Sequence, residues 1–119
     1  MDIKKIRVLD TIPVVVTDPD GGPDVVFTLA GPAHPVALKA DQARADAIMK
    51  QRGKFNARAM ANEYVAARVI GWEGLTSDGE PLVFSPEAAS ALLSDPNMGF
   101  LRDHLQAAIG DNESFYKSR

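Results

Sequence analysis

The hydrophobic positions of this chain change period as it is read from one end to the other. Ile12 to Thr17 is a β-branched run that predicts a strand, with Pro13 near its start, where a missing donor does little harm. Asp18 to Asp24 is dense turn chemistry, and Val25 to Leu29 predicts a second strand, so the pair reads as a β-hairpin. From about Val36 the period becomes helical. One helix is predicted over 36–52 with Leu38, Ala45, Ile48 and Met49 on its apolar face. A second is predicted over 56–70, with Met60, Tyr64 and Ala67 on one stripe and Val65, Val69 and Ile70 widening it. A third covers 86–93 with Ala89, Leu92 and Leu93 inward. A fourth covers 98–109 with Leu101, Leu105, Ala108 and Ile109 inward. Ile3, Ile6 and Leu9 stand at helical spacing in the first ten residues, which suggests one marginal turn of helix there. The expected fold class is α+β and mainly α, an N-terminal hairpin followed by about four helices. The expected organisation is a single domain over 1–119. Within it, 1–32 form the leader and hairpin, 33–71 two long helices, 72–85 a hinge loop, and 86–119 the C-terminal helices and tail.

The stretch from Gly71 to Glu87, GWEGLTSDGEPLVFSPE, is the expected hinge. Gly71 suits a helix C-terminus, where positive φ favours glycine. Asp78-Gly79 is a tight-turn dipeptide, and Pro81 blocks immediate return to helix. Ser85-Pro86-Glu87 reads as a cap, a first-turn proline and an acid beside the positive helix end. Gly71, Trp72, Gly79, Leu82, Phe84 and Ser85 are the residues assigned to this hinge. Trp72, Leu82 and Phe84 are expected to pack together once the turn folds the chain back.

Composition changes little. At 119 residues, 45% apolar and 24% charged, the chain is long enough to bury a core without staples and is ordinary for a soluble globular protein. It contains no cysteine, which excludes disulfides, thiolate nucleophiles and cysteine-held metal clusters. No apolar run approaches the length needed to span a bilayer, and the first residues carry no signal-peptide core, so no membrane contact and a cytoplasmic location are expected. The net charge of −3 is uneven: residues 1–38 carry −2, residues 39–68 carry +4 and residues 69–119 carry −5. The basic middle, with Lys39, Arg44, Lys50, Arg52, Lys54 and Arg58, raises a nucleic-acid-binding module as one reading. Few interleaved aromatics and an acidic pI argue instead for solvated helix faces.

Candidate chemistry is sparse. His34 and His104 are far apart and lack metal-ligand spacing, which makes both surface residues in this reading. Asp18, Asp20 and Asp24 among glycines suggest a calcium loop, but Gly22 stands at its fifth position and Leu29 at its twelfth, so a hairpin turn is the better reading. No nucleophile elbow, P-loop or dinucleotide fingerprint occurs. No catalytic, metal or cofactor residue is assigned, and an enzyme is not expected.

The ordered set Leu29-Ala-Gly-Pro32, two long helices, Ile70-Gly-Trp72, Asp78-Gly79-Glu-Pro-Leu-Val-Phe84-Ser85-Pro86-Glu87, Leu92-Leu93 and Phe115 resembles the tail assembly chaperones of long-tailed, siphovirus-type bacteriophages and prophages. The resemblance runs from about Leu9 to Phe115. Ala33-His34 departs from it, since the family commonly carries an aspartate or serine ahead of the first long helix. The resemblance implies a non-enzymatic protein of the host bacterial cytoplasm that coats and solubilises the helical tape measure protein, self-associates as a homo-oligomer, and is absent from the mature virion. Met60, Tyr64, Phe115 and Tyr116 are the partner-binding candidates. A small structural protein of the phage tail or head–tail junction remains the alternative, beside the nucleic-acid module.

Overall fold

The computed structural model describes residues 6–51, 56–111 and 116–118, and side-chain surroundings for 9–50 and 56–111. It is an α+β fold. Strand β1 (Ile6–Val8) leads into β2 (Thr11–Val16) and β3 (Val25–Ala30), followed by helices α1 (Pro35–Gln51) and α2 (Ala57–Arg68). Strand β4 (Val69–Glu73) and the two-residue strands β5 (Thr76–Ser77) and β6 (Glu80–Pro81) come next, then α3 (Pro86–Ser94), α4 (Gly99–Gly110) and β7 (Tyr116–Ser118).

The expected hairpin is present as β2–β3, antiparallel with Ile12 opposite Leu29 and Val16 opposite Val25. Alternation turns Ile12, Val14 and Val16 toward Phe27 and Leu29 on the core face, while Thr11, Pro13 and Val15 point outward. Against this face lie Val65 and Ala66 of α2, Ala89 and Leu93 of α3, and Leu101 and Leu105 of α4. A two-stranded hairpin is marginal alone, and these helices supply the burial it lacks.

Four sequence expectations need correction. First, the second helix does not continue to Ile70. It ends at Arg68, and Val69–Glu73 joins the sheet as a third strand in the order β2-β3-β4. Leu29 faces Val69 and Phe27 faces Trp72, so two steps along β3 oppose three along β4, and the ladder is irregular between Thr28 and Leu29. That extra residue is a β-bulge, and it turns both Val69 and Trp72 to the core, where uninterrupted alternation would place them on opposite faces. Second, Gly71 is therefore strand and not a helix cap, and its φ is not positive. A Cβ there would meet only the Thr28 Cβ at 4.0 Å.

Third, the face of α1 is reversed. Ala37 and Ala40 are buried, whereas Leu38 (55%), Ile48 (45%) and Met49 (76%) stand in solvent, as does Ala45. The helix packs principally on α2, and its small alanines allow that close approach. Fourth, residues 6–8 are not a helical turn. Ile6–Val8 pair antiparallel with Tyr116–Ser118, joining the two ends of the described chain. Ile3 lies outside the described residues.

Caps follow local chemistry. Ser85 Oγ accepts from Ala88 N (2.9 Å) as expected, and Asn56 Oδ1 accepts from Arg58 N and Ala59 N at 3.0 and 3.2 Å. At the start of α1 the unusual His34 takes the capping role: its Nδ1 accepts from Val36 N at 3.1 Å and its carbonyl accepts from Leu38 N at 3.0 Å. It does what an aspartate or serine does elsewhere, satisfying a helix-terminal N–H.

Candidate binding surfaces

The run from Gly71 to Glu87 is an architectural knot rather than a loose loop. Asp78 and Gly79 both take positive φ (52° and 80°) and close β5 on β6 in a two-residue turn. The chain then returns toward β4: Leu82 N donates to Leu75 O (2.9 Å), and Trp72 Nε1 donates to Leu82 O (2.8 Å). The Trp72 ring meets Phe84 edge-on at 5.0 Å and Phe27 at 6.1 Å. Trp72, Leu82 and Phe84 are thus brought together, Gly79 makes the turn that permits it, and Ser85 starts the next helix. Gly71 takes its place in β4 beside them.

The partner-binding candidates are placed differently. Met60 and Tyr64 are half-buried and line the seam between α1 and α2 with Ala40, Arg44 and Ala47. The Tyr64 hydroxyl donates to Asp41 Oδ1, while Arg68 Nη1 donates to that same hydroxyl oxygen at 3.0 Å. Arg44 lies over the Tyr64 ring at 3.9 Å. Arg68 is buried, and its Nε and Nη2 both donate to Ala30 O at 3.0 and 2.7 Å. The network ties α1, α2 and the end of β3 into one unit, a polar cluster satisfied internally. Desolvation and the bond to Asp41 raise the Tyr64 pKa, against the opposing effect of Arg68. Tyr116 lies in β7, opposite Val8, and Phe115 falls outside the described residues.

The sequence reading missed a cleft at the other end of the sheet. Its volume is about 480 Å³, between the β2–β3 loop on one side and α3–α4 on the other. Leu75 and Leu82 form one wall, Leu92, Met98 and Leu101 line the helical side, and Phe100, 43% exposed, stands at the mouth. Among the described residues its charged lining consists of Asp18 and Asp95, and Asp20, Asp24 and Asp78 are exposed nearby in sequence. An apolar trough with an acidic border is suited to taking up apolar side chains. The available signal was Met98-Gly-Phe100, two large apolar residues straddling a helix start where only one side can be buried.

Among the described residues no group of three or more His, Asp or Glu side chains could hold a metal ion. His104 is exposed on α4, and His34 is occupied as a cap. Among those residues no helix is long and apolar enough to cross a membrane. Comparison of the chain with protein-family models, curated proteins and solved structures finds no match.

Proposed function

We propose that this chain is a non-enzymatic tail assembly chaperone of a long-tailed bacteriophage or prophage, which binds the extended, largely helical tape measure protein and keeps it soluble in the host cytoplasm until the tail tube assembles. The observation that carries this reading is the solvent-open apolar cleft lined by Leu75, Leu92, Met98 and Phe100. A long helical protein exposed before assembly presents apolar stripes that would otherwise associate with one another. A cleft built from leucine, methionine and phenylalanine covers such a stripe with few directional demands, as helix-in-groove recognition requires. The family-like run supports the reading from a second side, because Trp72, Leu82 and Phe84 hold the segment that forms the cleft's β-side wall.

Single contacts of this size are weak. Many copies along one extended partner, each touching the next, gain effective concentration without new contacts to the partner, so the chaperone acts as a homo-oligomeric coat. It leaves with the coat and is absent from the mature virion. Co-expression with the long tail protein encoded beside it tests the reading. A soluble complex on size-exclusion chromatography is expected. A long tail protein equally soluble with and without this chain, with no complex, contradicts it.

A further inference from the structure

We propose that the outward face of α1 is a self-pairing surface, on which two copies of this chain dock their α1 helices antiparallel. The inference does not need the tail-protein reading; a two-fold pair closes on itself, so it supplies a dimeric unit and not the contact that would run from unit to unit along a partner.

At about 100° per residue, Leu38, Gln42, Ala45 and Met49 fall within about 60° of one another on the helix. This stripe lies opposite the buried Ala37 and Ala40, so it looks away from the core. Leu38 and Met49 are 55% and 76% exposed, and Ile48, on the stripe's margin, is 45% exposed. A stripe repeating every three and four residues is the seam of a helix pair.

The charges beside the stripe select the orientation. Lys39 and Asp46 flank one side, and Asp41 and Ile48 flank the other. In an antiparallel pair centred between Ala43 and Arg44, Leu38 meets Met49 of the partner subunit and Gln42 meets Ala45 of the partner subunit. Lys39 then lies beside Asp46 of the partner subunit, and the two-fold axis makes this contact twice. On the other flank Asp41 lies beside the apolar Ile48 of the partner subunit. A parallel pair would instead set Asp41 against Asp46 of the partner subunit, a like-charge contact repeated on both flanks. Gln42 Nε2 donates to Asp46 Oδ1 at 2.9 Å, which holds that carboxylate on its flank of the stripe. Tyr64 engages Asp41 from the α2 side, which draws that carboxylate away from the seam. The contact is only about three helical turns long, so the pairing is weak and reversible.

Sedimentation analysis of the full chain from about 10 to about 500 µM tests it, a range suited to a weak dimer. The weight-average mass should rise from 12.8 kDa toward twice that value. Lys39→Glu and Asp46→Lys should each hold the chain at the monomer mass, because each sets like charges together twice. An equimolar mixture of the two variants should dimerise again, since the mixed pair restores opposite charges at both contacts. Circular dichroism of each variant checks that α1 is intact, and Leu38→Ser provides a third variant that should dissociate the pair without altering charge. A wild-type chain that stays at the monomer mass overturns the proposal. So does a dimer indifferent to all three substitutions, or a mixture no heavier than its components. None of these readings involves the tail protein, so failure here is separable from failure of the proposed function.

Discussion

Trp72 donates its indole N–H to the carbonyl of Leu82, 2.8 Å away and ten residues later in the chain. The bond closes over the β5–β6 turn, and Phe84 stacks edge-on against the same indole at 5.0 Å. One side chain thereby ties the last strand of the sheet to the segment that starts α3. Trp72→Ala removes the ring contacts and the bond together and is expected to lower stability by about 3 kcal/mol. Trp72→Phe keeps much of the ring area and should lose about 1 kcal/mol, the usual net worth of one hydrogen bond. Denaturant midpoints at constant slope measure both. Native Trp72 emission should lie to the blue of free tryptophan in water.

The glycines separate by what surrounds them. Gly31 is buried, donates its N–H to Asp10 O at 2.6 Å, and leaves a Cβ only 2.0 Å from Leu9 O. Backbone must move to admit a methyl group there, so Gly31→Ala should destabilise by about 2–3 kcal/mol, the range for overpacking. Gly71→Ala should change stability by no more than about 0.5 kcal/mol, because its Cβ would meet ordinary contact and its φ suits any residue. Thermal unfolding of the two variants, measured side by side, distinguishes strand from helix cap at Gly71.

Tyr64 links protonation to stability. Its pKa in the fold is raised, first by desolvation and then by the bond to Asp41. A raised pKa favours the protonated phenol in the folded state. The associated stability is therefore fully present below the unfolded tyrosine value of about 10 and is lost as pH rises through the higher folded value. The wild type should lose stability more steeply than Tyr64→Phe across that alkaline window, and the phenolate absorbance of Tyr64 should appear above the ordinary tyrosine range. Parallel pH profiles for the two proteins would contradict the linkage.

These sites also mark where sequence was enough. The β2–β3 hairpin and the Ser85 cap rest on chemistry within a few residues, and both stand where local rules place them. The Trp72–Leu82–Phe84 cluster was legible for the same reason, since an Asp-Gly turn of defined geometry folds one toward the other. Strand β4 was not. Val69-Ile70 continues the apolar period of α2 with no breaking residue before Gly71, and its strand character depends on pairing with β3, forty or more positions earlier in the chain. The β-branched pair followed by tryptophan was the available signal. On α1 the large residues misled. Leu38, Ile48 and Met49 outweigh alanine in hydrophobicity, yet the Ala37–Ala40–Ala47 side allows the closer approach to α2, and close packing decides which side is buried. The β1–β7 pair joins residues more than a hundred positions apart, which no local pattern encodes. The cleft is likewise assembled from β2, β3, β5, α3, α4 and the loops between them.

The most direct test of the chaperone account is the soluble fraction of the proposed partner, a long helical tape measure protein, measured on co-expression with the wild-type chain and with Phe100→Glu. Phe100 is 43% exposed at the mouth of the cleft, so its replacement should leave the fold intact by circular dichroism while placing a charge where an apolar stripe would dock. The account predicts a tail protein that is soluble and co-purifies with the wild type, and that falls largely into the insoluble fraction with the variant. Equal solubility with wild type, variant and no chaperone at all would contradict it.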